Sequence, residues 1–384
     1  MLLLAAGAPS PLYGVYQAEW GFSATTLTEV FGVYAVVLLL TLLFCGSLSD
    51  YIGRRPVIVA GMLFDAAACA VFLMATGVGA LYLARAIQGL AVGLATGALG
   101  AALLELEPQG SGRAPIVTSV APTAGLAVGA LGASALVQYG PAKTHLVWWV
   151  LLAAYLAAAG AVAAMPEPGR RRPGALASLR PRVRVPRAAR GPFLIAAPCL
   201  IAVWALGGLY LSLGSSLAEQ LFHSSNVMWG GLAIFLLPGT ASVATLVVRN
   251  AAPHRAMLGG CLALLAGAAV TFVGVATRTS WLFLVGTTVA GVGFGPGFTG
   301  AYRMVVARAD PDGRAALIAA IFSLSYLAFS VPAVIAGVAT THYGLRDTAL
   351  VFYVVIAVLV AIAAASLVVR RGTRDTAAAA RADA

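Results

Sequence analysis

The chain has 384 residues, 61% of them hydrophobic and only 10% charged, with a formal net charge of +11 and a mean hydropathy of +0.94. That excludes a soluble globular domain, in which charged residues make up about a quarter of the total. A nucleic-acid-binding face is excluded too, because the 24 Lys and Arg lie almost entirely in short connectors, eight of the arginines in the single segment Arg170 to Arg190. Cys45, Cys69, Cys199 and Cys261 stand singly in apolar stretches and read as small core residues rather than as disulfide or metal ligands.

A bilayer core about 30 Å thick takes roughly 20 apolar residues per helical span. Spans are predicted near 1–18, 27–48, 57–76, 80–105, 114–138, 145–165, 192–217, 228–248, 256–276, 281–307, 314–340 and 347–369, twelve in all. The first is the weakest. Met1-Leu2-Leu3-Leu4 lacks the basic region of a signal peptide and meets Pro9 and Pro11, so it reads as a shortened span that an upstream start site would complete. Basic residues in short loops stay on the cytoplasmic side. Arg54, Arg55, Arg113, the eight-arginine segment, Arg249, Arg255, Arg308, Arg314 and the tail arginines Arg370, Arg371, Arg374 and Arg381 then share one side with both termini. Only Lys143, Arg278 and Arg346 fall on the other.

The expected fold class is therefore an all-α integral membrane protein. Residues 1–165 form a first six-helix bundle, 166–191 a basic linker, 192–371 a second bundle and 372–384 a cytoplasmic tail. A shift of 201 residues aligns Leu81–Ala114 with Leu282–Ala315 without a gap, matches Gly112-Arg113-Ala114 to Gly313-Arg314-Ala315, and places Arg54 on Arg255. A constant offset across two loops indicates duplicated units.

The connector after the second span reads Gly46-Ser47-Leu48-Ser49-Asp50-Tyr51-Ile52-Gly53-Arg54-Arg55-Pro56. Its glycines permit close helix approach, Asp50 accepts charge-assisted bonds, and the Arg pair supplies fixed donors at the headgroup level; a solvated turn is the plainer alternative. In the third span Asp65 has no basic residue within a helical turn. It is a candidate proton carrier or, alternatively, a neutral carboxyl at a packing interface. Arg85, inside the fourth span, must face a cavity or find partners within the bundle. It is followed by Gln88 and by Gly89, Gly93 and Gly97, the three glycines forming a small-residue stripe that suits packing. Glu105 and Glu107 end that span and belong to the helix-end interface. The fifth span carries Pro122, Gly125, Gly129 and Gly132, which give a bent helix with a flat face.

The connector resembles the signature loop of the major facilitator superfamily, matched at Gly46, Leu48, Asp50, Gly53, Arg54 and Arg55. The Arg-x-x-Gln-Gly signature of that family is present as Arg85, Gln88 and Gly89. The resemblance implies that Asp50 is the acidic group of a cytoplasmic latch between the halves, and that Arg85 takes part in proton coupling. It makes Pro122 and Gly125 the remnant of an exporter pattern that Ala121 and Leu126 leave incomplete. The second-half latch is degraded, with Ala251 where an Asp would stand, so one working latch is expected.

Gln17, Tyr34, Gln138, Trp204, Tyr210 and Arg303 are candidate cavity residues, Arg303 being alternatively a helix-end anchor. Trp148, Trp149, Trp281 and Tyr139 are expected at the membrane interface. Gly295-Pro296-Gly297-Phe298-Thr299-Gly300 fits a dinucleotide fingerprint formally, but it opens no βαβ unit and lies in an apolar span. His145, His223, His254 and His342 fall at connectors, so no enzyme chemistry and no cofactor is expected. The expected function is secondary transport by alternating access in a bacterial cytoplasmic membrane: proton-coupled export of a small, largely apolar compound by a monomer. Nutrient uptake, or a non-transporting role on the same scaffold, are the alternatives.

Overall fold

The computed structural model describes residues 1–108, 112–169 and 172–382; Arg170 and Arg171 of the basic linker lie outside them. Among the described residues there are fifteen α-helices and no strand. In chain order they are α1 (Leu2–Gly7), α2 (Pro9–Trp20), α3 (Ala24–Cys45), α4 (Ser49–Ile52), α5 (Arg54–Leu73), α6 (Val78–Leu106), α7 (Arg113–Tyr139), α8 (Leu146–Ala164) and α9 (Ala175–Ser178). The second part of the chain adds α10 (Arg187–Phe222), α11 (Val227–Val247), α12 (Pro253–Ala276), α13 (Ser280–Val306), α14 (Pro311–Tyr343) and α15 (Leu345–Ala382).

Eleven of these, α3, α5 to α8 and α10 to α15, are long and apolar enough to cross a membrane. The place of the expected first span is taken by α1 and α2, which are 6 and 12 residues long and meet at Ala8, itself in helical conformation. Two short connector helices, α4 and α9, stand where the sequence suggests only loop. Ser23 caps α3 by accepting from the Thr26 N–H at 3.1 Å, and Asn226 caps α11 by accepting from the Met228 N–H at 2.9 Å.

The 201-residue offset holds in three dimensions. It carries α3, α5, α6, α7 and α8 onto α11, α12, α13, α14 and α15 with starts that agree to within three residues, and α1–α2 onto the second half of α10. In the first set α6 packs on α3 and α5, and α5 on α8; in the second, α13 packs on α11 and α12, and α12 on α15. The sets meet along two seams, α3 against α14 and α7 against α11, with α2 touching α10 between them. The end of the bundle that carries Arg54, Arg255 and Arg314 is called here the basic end, and the other the opposite end.

Glycines set how closely α12 and α13 approach. Gly260, Gly267 and Gly274 recur every seven residues on α12, and Gly286, Gly293 and Gly300 do the same on α13. A Cβ on Gly274 would lie 2.6 Å from the Phe283 nitrogen and 3.0 Å from the Leu282 carbonyl carbon, and one on Gly260 would lie 2.6 Å from the Gly297 Cα. The helices are in backbone contact along the whole pair, a geometry that lipid cannot replace and that only small residues allow. Gly267→Val should therefore lower the unfolding free energy in detergent by about 2–3 kcal/mol, whereas Gly259→Val, next to Gly260 in sequence but with open space around it, should leave it unchanged. Thermal unfolding followed by circular dichroism measures both.

Candidate functional site

The signature loop is a fastener built around one arginine. Gly53 has φ +103°, a backbone region that L side chains avoid, and a Cβ there would lie 2.6 Å from the Glu167 carboxylate. That turn starts α5, whose first N–H groups point at Glu167: Arg54 N donates at 2.7 Å and Arg55 N at 3.1 Å. A carboxylate at a helix N-terminus meets both free donors and the positive end of the helix dipole. The Arg54 guanidinium bonds Asp50, Ser49 Oγ at 2.8 Å and Glu105 at 3.0 Å, so α4, α5 and the end of α6 close on it. Arg55 donates to the Met165 carbonyl at 2.9 Å and finishes α8. Glu107 caps α7 by accepting from the Ala114 N–H at 2.9 Å. Asp50 thus pairs within its own loop. The tie to the other half runs through the linker: Ser47 Oγ donates to the Ser178 carbonyl at 3.2 Å, Arg172 N to the Tyr51 carbonyl at 2.9 Å, and Arg184 N to the Ala316 carbonyl on α14 at 3.2 Å.

The second constellation is the polar centre of the first half. Arg85 and Asp65 are both fully buried. Pro9 has no N–H to give the Ala5 carbonyl one turn before it, so the first helix carries an unpaired acceptor. Gln88 Nε2 donates to that carbonyl at 3.3 Å, while Arg85 Nη1 donates to the Ala6 carbonyl at 3.3 Å and to Gln88 Oε1 at 2.9 Å. The guanidinium carbon stands 4.2 Å from the Tyr34 ring centroid and about 6 Å from those of Tyr13 and Phe31. Cation–π attraction partly replaces lost water. Arg85 Nε and Nη2 and the Tyr13 hydroxyl have no hydrogen-bond partner among the described residues, and the Asp65 oxygens make no close hydrogen bond, their nearest polar neighbour being the Tyr155 hydroxyl. Tyr155 donates to the Met1 carbonyl at 3.0 Å, and Trp148 Nε1 to the Tyr16 hydroxyl at 3.0 Å.

The other candidates separate. Gly89 and Gly93 lie against α3, where Cβ atoms would meet Leu38 N at 3.0 Å and Thr41 Cβ at 2.6 Å, and Gly97 faces the Gly46 carbonyl. Gly125 faces the α1 backbone at Leu4, and Pro122 lies inside α7. Of the cavity candidates, Tyr34 is buried under Arg85 and Trp204 stands in an aromatic cluster. Gln17 instead lines a cleft of about 590 Å³ at the opposite end, beside Glu219 and Thr340. Gln138 accepts from the Val227 N–H at 3.2 Å in the α7–α11 seam. Tyr210 is inside the second half, bonded to Thr287 Oγ1 at 2.5 Å, and Arg303 is exposed in the last turn of α13, on the Arg249 carbonyl at 3.1 Å. Trp148 corrects the expectation of an interfacial ring: it is fully buried and stacked on Phe72 at 3.9 Å, while Trp149, turned about 100° away on the helix, is 58% exposed. Sequence spacing alone has no signal for Glu167, or for the pairing of Cys199 and Cys261, whose sulfurs lie 3.6 Å apart.

Contacts between the halves gather at the opposite end. Thr25 Oγ1 and Thr341 Oγ1 are 2.9 Å apart, Ser215 Oγ donates to the Ser10 carbonyl at 3.2 Å, and the Phe31 and Phe329 rings meet at 4.9 Å. Thr123 and Ser242 bond at 2.7 Å nearer the basic end.

Membrane-length helices in two sequence-related sets, meeting along two seams and burying an Arg and an Asp beside a proline-broken helix, define a multi-pass membrane protein of the carrier type. The chain belongs to the Major Facilitator Superfamily, whose family model matches residues 1–331. Multidrug resistance protein MdtH of Yersinia pestis (strain Pestoides F) is 33% identical over 152 residues, 39% of this chain and 37% of that protein; the match spans little more than a third of such relatives. Among solved structures, a point mutant of the nucleoside transporter NupG superposes with TM-score 0.72 at 13% identity, covering 95% of this chain and 96% of that one. The human organic anion transporter MFSD10 (TETRAN) does so with TM-score 0.63 at 18% identity, covering 94% and 96%. At these identities they share the fold.

If Gln88 serves the carbonyl that Pro9 strands, Gln88→Leu costs about 1–2 kcal/mol of stability. In a Pro9→Ala background, where residue 9 supplies its own N–H, the same substitution should cost less than half as much. A double-mutant cycle by denaturant unfolding in detergent measures the coupling.

Proposed function

We propose that this protein is a proton-coupled exporter of small, largely apolar compounds, working by alternating access in a bacterial cytoplasmic membrane. The observation that carries the reading is the buried pair of ionisable groups, Asp65 and Arg85, in an otherwise apolar bundle. Asp65 is in no salt bridge among the described residues, and its polar neighbours are the Tyr155 hydroxyl, the chain's first amino group and Arg85, so it takes up or gives off a proton without breaking a close ion pair. Arg85 lies in the same polar centre and holds α1–α2, the element that touches both α7 and α10. Movement of that broken helix is the route by which the protonation of Asp65 reaches the seams.

By the positive-inside rule the basic end is cytoplasmic. The cross-half contacts at the opposite end then make this the state closed to the outside, and the intra-loop pairing of Asp50 with Arg54 is its resting arrangement. In the other state Asp50 reaches across to the second half as a latch. Residues 1–165 and 192–371 move as the two bodies, as a monomer. Export is favoured by the partial match to a multidrug resistance protein and by Pro122 and Gly125 on α7.

Inside-out vesicles with an acidified lumen test the reading. Lipophilic compounds added outside should trigger proton release, seen with a pH-sensitive dye. Asp65→Asn should reduce the response at least tenfold with the protein still inserted, and Asp50→Asn should slow it. No response across a broad panel, or an undiminished one with Asp65→Asn, overturns proton-coupled export by this route.

A further inference from the structure

Six aromatic rings form one continuous wall on three helices of the second half. On α14, Phe329, Tyr326 and Phe322 follow at spacings of three and four residues, which places them on one face. Phe298 and Tyr302 do the same on α13, and Trp204 of α10 stands among them. Trp204 meets Tyr326 at 4.9 Å and Phe298 and Phe329 at 5.6 Å, all edge-on; Tyr302 meets Phe298 at 6.0 Å and Phe322 at 6.4 Å. The wall faces the first half. Its opposite-end member, Phe329, touches Phe31 of α3, and Tyr326 is close enough to Tyr34 for the two to interact electrostatically. From Phe329, which is buried, the rings become half-buried toward the basic end.

Two features select what such a wall takes. The Trp204 indole N–H is enclosed and has no acceptor among the described residues, an arrangement that leaves a desolvated donor for an acceptor to satisfy. The charge that acts on a ring of the wall itself is positive, while Arg85 and Asp65 both act on Tyr34 behind it. Arg85 lies behind Tyr34, and Arg314 acts on Tyr302. On the helices that carry the rings, the carboxylates are Glu219 and Asp312, each ten residues or more along its helix from the nearest ring, and α13 has none. A lipophilic cation would find ring faces but no carboxylate acting on them, Asp65 acting on Tyr34 rather than on a ring of the wall.

The geometry points to a binding site on this wall for a flat, uncharged or weakly acidic aromatic compound bearing a hydrogen-bond acceptor, which stacks among Phe298, Phe322 and Tyr326 and accepts from Trp204 Nε1. This inference rests on the transport reading for its biological meaning but not for its test, since binding needs neither a proton gradient nor a direction of movement.

The experiment is equilibrium dialysis of fluorescent probes against the full-length protein in nanodiscs, corrected with empty nanodiscs. A neutral hydroxycoumarin carries the ring and a carbonyl acceptor; ethidium is a flat aromatic cation. The coumarin is expected to bind saturably and at least tenfold more tightly than ethidium. Trp204→Phe, which keeps the ring and removes the donor, should weaken the coumarin about fivefold and leave ethidium unchanged. Trp149→Phe, on the outer face, should change neither, and thermal unfolding checks that each variant is folded. Ethidium binding as tightly as the coumarin, indifference to Trp204→Phe, or no saturable binding of either probe by folded protein each overturns the proposal. Coumarin binding that depends on Trp204, with no substrate-triggered proton release in vesicles, would uphold the site and reject proton-coupled export.

Discussion

Arg85 is the constraint on which the first half is built. A guanidinium at the centre of a membrane helix costs roughly 2.5–3.5 kcal/mol even by the lenient insertion scales, so its surroundings must supply hydrogen-bond acceptors and a polarisable face. The structure meets this with Tyr34 below the guanidinium, Gln88 beside it and the Ala6 carbonyl above. The proline that breaks the first helix and the arginine that would otherwise lack partners are two halves of one solution. Pro9 frees a carbonyl, Gln88 takes it, and the Gln88 side-chain oxygen is thereby turned toward Arg85. Asp65 shares the same buried centre with the Tyr155 hydroxyl as its polar neighbour and without a close ion pair.

Among the described residues the second half buries hydroxyls such as Tyr210 and Thr287 but no charged group, and it is held differently. Where the first half has Arg85 on α6, the offset copy α13 has Gly286, whose absent side chain lets α12 approach to backbone contact at Thr271. The duplicated units thus diverged at the equivalent position, one toward buried charge and one toward close packing. Interlocked glycines give dispersion contact over the full helix length without any polar cost, which suits a rigid body that carries the aromatic wall.

How much of this is legible in the sequence depends on the range of each interaction. The spans are readable because each is a continuous apolar run. So is the α3–α5 loop, because Asp50, Gly53 and Arg54 act on one another within five residues. Glu167 is not: it reaches Arg54 from 113 residues away, and nothing in Pro166-Glu167-Pro168 says that it faces a helix N-terminus. The Trp148-Trp149 pair misleads because hydropathy averages over helix faces that differ by about 100° per residue. Cys199 and Cys261 stand far apart in sequence, yet their helices bring the sulfurs together. The seven-residue glycine ladders of α12 and α13 are present in plain spacing; what sequence lacks is the register that makes the two ladders face each other.

The kinds of contact also differ between the interior of the halves and the seams. Within the first half, displacing a helix breaks the Arg54 node, whose half-exposed partners Asp50 and Glu105 contribute about 1 kcal/mol or less each, or uncovers Arg85, a change worth several kcal/mol. Within the second, it opens glycine contacts along the whole of α12 and α13. Between the halves, the bonds are of the hydroxyl and amide kind, Thr25 to Thr341, Ser215 to Ser10, Gln138 to Val227 and Thr123 to Ser242, each worth about 1 kcal/mol net, and glycines pack closely there too, Gly337 against Thr28 and Gly231 against Ser134. They are spread over separate points of the two seams. The seam contacts named are neutral, whereas the charged and fully buried groups lie within the first half, and α1–α2 touches α7 on one side and α10 on the other while Arg85 and Gln88 hold its broken turn.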